Sequence, residues 1–363
     1  MSDGFGLDHL PYGVFSVAGG ERRVGVRYGD GVLDLHAATG RPEFAQPSLN
    51  AFMALGAEVW RQTREEVAGL VDGADLVALD DAVLHLPVEV ADYVDFYASL
   101  DHATNVGQIF RPDAPSLPAA WRHLPIGYHG RAGTVVVSGT PITRPHGLTR
   151  DGYGPSQRLD IEAELGFVVG APSELGSSVP FTGLGDHVFG VTALNDWSAR
   201  DVQAFEYVPL GPFLGKSFAT SISPWVTPLA ALDAAWVDLP AQEPEPAAYL
   251  GPGATHGLDI AVEVVLNGEV VSRPPYRTQY WSPAQMLAHL TVNGASLRTG
   301  DLFASGTISG AEPDQRGSLL ELWWNERFLE DGDEVVLRAS APGTGGGRIT
   351  LGEVAGRVVG SRP

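Results

Sequence analysis

Apolar residues in this chain come in short runs of strand length, and nearly every run is closed by glycine or proline. GVFSV, RRVGVRY and GVLDL follow one another from Gly13 to Leu35, separated by Gly-Gly and Asp-Gly turn signals. GTVVVSG, IEAELGFVVG, VFGVTALN, DIAVEVVLNG and DEVVLRA repeat the pattern farther on. With 45 glycines and 27 prolines spread between them, such runs predict a β-rich fold with minor helices. Helical spacing is expected from Ser48 to Val71, with Phe52, Leu55, Val59, Trp60, Val67 and Leu70 on one face. Shorter helices are expected at Asp95 to Gln108, Ser198 to Tyr207 and Ser282 to Leu290, and a strand at Leu84 to Val90. Pro112 to Pro118 and Pro240 to Pro252 read as surface loops. A domain boundary falls near Leu86, dividing 1–87 from 88–363.

The 363 residues carry 23 Lys and Arg against 44 Asp and Glu, a net charge of −21. That field repels phosphate backbones and anionic lipid, so neither nucleic acid nor a membrane is an expected partner. An acidic substrate would need a local basic pocket. The absence of cysteine removes disulfides, thiolate metal sites and cysteine nucleophiles. The start, MSDGFGLDHLPYG, lacks the basic and apolar segments of a signal peptide, and no apolar run is long enough to span a bilayer. A soluble, cytoplasmic protein is the expectation.

Three segments carry candidate chemistry. In IEAELGF, Glu162 and Glu164 are two apart, so on a strand both project from one face while Ile161, Ala163 and Leu165 pack behind. The ordinary reading is a solvent face, but the apolar Phe167-Val168-Val169 that follows predicts a buried strand, where paired carboxylates need a cation. In NDWSARDVQAFEY, Asp196, Arg200, Gln203 and Tyr207 fall at offsets of 4, 7 and 11, one helical stripe. A solvated polar face is the alternative; Trp197, Val202, Phe205 and Val208 leave little of that helix for water. In DFYASLDHATNVGQIFR, Asp95 and His102 are seven apart, two helical turns if the helix begins early enough. Gly211 to Ser217 imitates a P-loop but is one residue short, and Pro212 and Phe213 suit a phosphate nest poorly.

If Asp95, Glu162, Glu164 and Asp196 converge, an all-oxygen set selects Ca²⁺ or Mg²⁺. Such a cation polarises carbonyl oxygens and stabilises an enolate. A nearby histidine suits activation of water, and Arg, Lys and Gln suit developing negative charge. The residues by themselves reach a metal-assisted hydrolase or enolate-forming enzyme. A carboxylate-rich Ca²⁺-binding module without catalysis remains the rival from another class.

DFYASLDHATNVGQIFR, LPIGYHGRAGTVVVSGTPI, DIEAELGFVVG, NDWSARDVQAFEYVPLGPFLGKSF, SISPWV, VNGASLRTGDLFASGTISG and GSLLELWW together resemble the fumarylacetoacetate hydrolase family, block by block and in order. The resemblance covers nearly the whole chain and is weakest before about Val90. It implies a small SH3-like β-barrel N-terminal domain, a larger mixed β-roll catalytic domain, and a homodimer. It implies hydrolysis of the carbon–carbon bond of fumarylacetoacetate, a small acidic diketone, to fumarate and acetoacetate, in tyrosine and phenylalanine catabolism. Related acylpyruvate or diketone hydrolases and decarboxylases share the scaffold. By the same resemblance Asp95, Glu162, Glu164 and Asp196 would hold a catalytic Ca²⁺, and Lys216 and Thr220 a structural Mg²⁺ beside Asp196. His102 would be the general base, oriented by Glu321. Arg200, Gln203 and Lys216 would stabilise the oxyanion, and Tyr97, Arg111, Tyr128, Gln203, Tyr207 and Thr307 would contact substrate. The segments from Arg144 to Gln157 and after Trp324 look shorter than in animal members, which touches loop contacts at the dimer interface and not the ligand set.

Overall fold

The structure is a computed structural model that describes residues 4–251, 253 and 255–362. Its largest sheet has 13 strands. The main path runs Val77–Ala78, Gly31–Asp34, Arg23–Tyr28, Tyr12–Val17, Trp225–Pro228, Val188–Asp196, Ala163–Val169, Leu302–Ala304, Tyr93–Phe96 and Gly127–His129. Most pairs are antiparallel, but Leu302–Ala304 runs parallel to Tyr93–Phe96, and Thr220–Ile222 parallel to Val135–Val137. A second, 5-stranded sheet is built around Ala261–Leu266, Glu334–Pro342 and Arg348–Val359. The β-rich, mixed-sheet class expected from the apolar runs is what the chain adopts.

The two central strands explain why. Ala163–Val169 and Val188–Asp196 are buried along their whole length, so each packs on both faces. Ala163, Leu165, Phe167 and Val169 enter one hydrophobic core, and Val168 enters another. That second core also holds Leu194, Phe189, Tyr12, Phe52 and Trp60. Phe189 meets Tyr12, Phe52 and Trp60 at ring separations of 5.4, 5.6 and 5.4 Å. The N-terminal strands therefore share a core with the central sheet, and Tyr12 pairs directly with Val226.

Several local expectations are corrected. The Ser48–Val71 helix is two helices, Asn50–Met53 and Ala57–Leu70, separated at Gly56, whose φ of 87° only glycine adopts readily. The break turns Leu55 to solvent, and Leu70 is exposed at the helix end, while Phe52, Trp60 and Val67 are buried as expected. The strand at Leu84 to Val90 is only Ala82–His85, since Pro87 has no amide proton for a ladder. The helix expected from Asp95 begins at Leu100, where Ser99 caps it through the amide of His102, and Asp95 lies on Tyr93–Phe96. Likewise Asp196 ends a strand, and the helix after it is Arg200–Glu206. The helix at Ser282 is present as Pro283–Thr291, with a Ser282–Gln285 capping box. Pro252, the last residue of the second Pro-rich segment, lies outside the described residues. Among the described residues no helix is long and apolar enough to cross a membrane.

Candidate active site

Neighbouring strands bring the acidic residues together. On Ala163–Val169 the odd-numbered side chains fill the first core, which leaves Glu162 and Glu164 to the opposite face. Asp196 closes the adjacent strand, where Ala163 pairs with Asn195. Asp95 arrives from the other side through Ala304, which pairs with it. One carboxylate oxygen from each of Asp95, Glu162, Glu164 and Asp196 lies within 4.8 Å of the others, and all four residues are buried. A solvent-face reading of Glu162 and Glu164 is thereby excluded.

Cations answer three of these carboxylates. Lys216 Nζ donates to Asp196 Oδ2 at 2.7 Å and also to Glu162 Oε2. Arg131 Nη2 bridges Asp95 Oδ2 at 2.8 Å and Asp196 Oδ2 at 2.7 Å. Arg200 Nη1 donates to Glu162 Oε1 at 2.7 Å and to Gln203 Oε1 at 3.1 Å. Thr220 Oγ1 donates to Asp196 Oδ1 at 2.6 Å, and the Tyr128 hydroxyl to Asp95 Oδ2 at 2.7 Å. Glu164 is different: both of its buried oxygens lack a hydrogen-bond partner. Burial, and then the charges of Asp95, Glu162 and Asp196, push its pKa well above the ordinary value. Burial also presses on Glu162, but Lys216 and Arg200 outweigh it and leave that carboxyl below the ordinary range. A carboxylate with no donor, facing three others, fits a site for a divalent cation with oxygen ligands.

A cavity of about 520 Å³ opens over this cluster. Asp95, Glu162, Arg200 and Lys216 reach it from below, and Tyr97, Arg111, Tyr128, Gln203, Tyr207 and Thr307 stand around it. The Thr307 hydroxyl and Arg200 Nη2 are buried without a partner. His102 also lines the cavity, with Nδ1 2.6 Å from Glu321 Oε2 and Tyr97 edge-on at a ring separation of 5.3 Å. Glu321 in turn accepts from Asn105 at 3.0 Å, Ser318 at 2.7 Å and Ser309 at 3.1 Å. The fragment resembling a P-loop serves differently: Lys216 turns to carboxylates and not to a phosphate.

The family model for the fumarylacetoacetate (FAA) hydrolase C-terminal region matches residues 92–359, and the fumarylacetoacetase N-terminal model matches residues 8–90. The chain belongs to the fumarylacetoacetate hydrolase family. It is 44% identical to human fumarylacetoacetase over 98% of this chain and 96% of that protein. It is 43% identical to the rat protein over the same shares, and 40% identical to that of Arabidopsis thaliana over 99% and 96%. Among solved structures it superposes on a fumarylacetoacetate hydrolase from Exiguobacterium antarcticum with a TM-score of 0.64 and 20% identity, covering 97% of this chain and 100% of that one. A maleylpyruvate hydrolase from Sphingobium sp. SYK-6, in complex with manganese(II) and pyruvate, superposes at 0.58 with 17% identity, again over 97% and 100%. At those identities the structures speak for the fold.

All the site residues named from the sequence of this family member gather at or beneath one cavity, but two do so for reasons other than those expected. Asp95 and His102 meet from a strand and a helix, not from two helical turns. Asp196 lies at a strand end and meets Lys216, Arg131 and Thr220 there, and only the Arg200–Gln203 contact follows helical spacing. Arg131, Asp160 and Asn105 were missed. Asp160 had a visible signal, since DIEAE continues the carboxylate alternation one step upstream. Arg131 and Asn105 had none.

Proposed function

We propose that this chain catalyses the metal-dependent hydrolysis of fumarylacetoacetate to fumarate and acetoacetate, in tyrosine and phenylalanine breakdown in the cytoplasm. The observation that carries the reading is a Glu321-braced His102 sharing one cavity with Asp95 and Glu162, the two members of the four-carboxylate cluster that line it. Those four carboxylates would hold the divalent cation, which when bound supplies Lewis acidity toward diketone oxygens and the enolate charge of the departing fragment. Ca²⁺ is the proposed ion, because oxygens up to 4.8 Å apart suit bonds of roughly 2.3–2.6 Å. Lys216 and Thr220 would flank a structural Mg²⁺ beside Asp196, Lys216 through its backbone carbonyl because an ammonium has no lone pair.

With Nδ1 committed to Glu321, His102 takes the proton of the attacking water on Nε2. Arg200 Nη2, Gln203 and the Lys216 ammonium donate to the oxyanion that forms at the attacked carbonyl. Arg111 receives a substrate carboxylate, offsetting the acidic charge of the chain. Tyr97, Tyr128, Tyr207 and the unpartnered Thr307 hydroxyl orient the rest. Loss of diketone absorbance on adding fumarylacetoacetate, with fumarate and acetoacetate as products and inhibition by a chelator, tests the proposal. Turnover that instead favours an acylpyruvate or another diketone, or that decarboxylates, would move the reading to a related enzyme of the same scaffold. A chain that binds Ca²⁺ and turns over no diketone would be a binding module, although such a module needs no His102–Glu321 pair.

The same proposal includes a small SH3-like N-terminal domain over 1–87, a catalytic domain over 88–363, and a homodimer. Val208, Leu210 and Phe213 form an exposed apolar stretch beside the cavity, a surface that a second copy would cover. Sedimentation of Leu210→Glu as a monomer, against a dimeric parent, tests it.

A further inference from the structure

Asp160 precedes Glu162 and Glu164 in the alternating run, yet it takes no part in the acidic cluster. It is fully buried, and its carboxylate is saturated. Oδ1 accepts the amides of Ile161 at 2.7 Å and Leu319 at 2.8 Å. Oδ2 accepts Arg200 Nε at 2.7 Å and the amide of Leu320 at 3.2 Å. Two distant segments thus meet on one side chain. The first is the helix Arg200–Glu206, whose opening residue reaches Glu162 and Gln203. The second is the single turn Leu319–Leu322, which carries Glu321 and through it His102.

We propose that Asp160 is a positioning residue that locks the general-base arm and the oxyanion arm to each other, touching neither substrate nor metal. The naming of the two arms rests on the function proposed above. On the Arg200 side, a charge-assisted bond at Nε fixes the plane of a guanidinium on an otherwise freely turning stem. Nη1 is then aimed at Glu162, and Nη2 is left unspent at the cavity. On the other side, the first amides of a helical turn have no partner within it. Asp160 supplies acceptors to two of them, and the turn holds Glu321 within reach of His102. Only a carboxylate can do both. An asparagine offers one acceptor oxygen and sets an NH₂ group against donors.

A plain buried ion pair would stabilise the fold without governing turnover, and the test separates the two. Wild type, Asp160→Asn and Asp160→Glu are compared as full-length, Ca²⁺-loaded protein. Bound Ca²⁺, kcat and KM are measured with fumarylacetoacetate. In the resting protein, the downfield proton resonance of the His102–Glu321 hydrogen bond is followed, assigned by its loss in Glu321→Gln. Asp160→Asn is expected to keep Ca²⁺ and to hold KM within about threefold, while kcat falls by about 10²-fold, the scale of a small misplacement of reacting groups. The proton resonance is expected to move or disappear. On a Glu321→Gln or Arg200→Lys background the same substitution should remove less than about threefold more, since residues acting as a unit are not additive.

An unmoved resonance with kcat within about threefold of wild type overturns the proposal, and so does an effect of equal size on all backgrounds. If Asp160→Asn does not fold, Asp160→Glu decides. It keeps the charge and displaces it by one methylene, so a wild-type rate and resonance overturn the proposal and a loss of tenfold or more upholds it. A wild type that does not hydrolyse fumarylacetoacetate defeats the functional reading alone, because the resonance still reports whether Asp160 holds the pair.

Discussion

The His102 imidazole Nδ1 lies 2.6 Å from Glu321 Oε2, a contact between residues 219 positions apart. Burial alone would raise the Glu321 pKa, but His102 and the donors Asn105 and Ser318 outweigh it and hold the carboxyl below its ordinary value. An ionised carboxylate thus orients the ring and would stabilise an imidazolium if His102 takes a proton in the proposed reaction. His102→Ala should keep bound metal and substrate affinity and lower kcat by on the order of 10²–10⁴. Single-turnover kinetics with a metal assay checks this, and a near wild-type rate removes His102 from the mechanism.

Glu164, with no hydrogen-bond donor of its own, should be the carboxylate most dependent on a cation. In the wild type, Ca²⁺ at about a hundredfold its Kd should add about 2.7 kcal/mol to the unfolding free energy. Glu164→Gln should abolish that increment without weakening the metal-free protein, because the substitution breaks no hydrogen bond and leaves no buried charge unpaired. Denaturant curves with and without Ca²⁺ decide it; an undiminished Ca²⁺ increment excludes Glu164 as a ligand.

Arg131 should behave in the opposite way. Its guanidinium joins Asp95 and Asp196, and the side chain is only 4% exposed. Arg131→Met leaves buried carboxylates uncompensated and should cost the metal-free protein about 3–5 kcal/mol. Saturating Ca²⁺ should narrow the gap, since the ion takes over part of the missing charge. Equal losses with and without the ion would show that Arg131 and the metal site are uncoupled.

His9 sets a pH limit on stability. Burial lowers its pKa from 6.5 to about 3, and the bond to the Gly4 carbonyl only partly offsets that. Its other ring nitrogen meets Thr227 Oγ1 at 2.9 Å. The folded chain keeps the ring neutral while the unfolded chain protonates it near pH 6.5. The contribution is therefore complete above that pH and is lost as pH falls toward 3, by up to about 1.4 kcal/mol per unit. Urea unfolding between pH 7.5 and 5 should show this slope, and His9→Gln should flatten it. An unchanged slope assigns the dependence elsewhere.

Gly306 lines the cavity beside Thr307, at φ +73°, and a Cβ there would lie 2.1 Å from the Phe96 carbonyl oxygen. Gly306→Ala should cost about 1–3 kcal/mol through backbone strain. Because relief of the clash moves Thr307, KM should rise more than kcat falls. A variant with unaltered KM and stability would show that this turn adapts freely.

How much of the site could be read beforehand varies with the range of the interaction. IEAELGF showed its two-faced character within seven letters, and Ile161, Ala163 and Leu165 do pack away from Glu162 and Glu164. The three N-terminal strands and the Ser282-capped helix were equally local. Helical spacing misled where strands end: Asp95 and Asp196 both lie at strand ends that hand over to helices a few residues later. Arg131 left no trace, because its partners are 36 and 65 residues away.

Local alternation of apolar and acidic residues determined, from the sequence by itself, that this chain would be strand-rich and that its carboxylates would share a face with no water to solvate them. The identity of the motifs also placed it in a family. Which carboxylates meet was decided only by strand order, with Ala163–Val169 set between Val188–Asp196 and Leu302–Ala304, and Tyr93–Phe96 beyond. Strand order depends on hydrogen bonds between segments far apart in the chain, and no local window of residues contains that information.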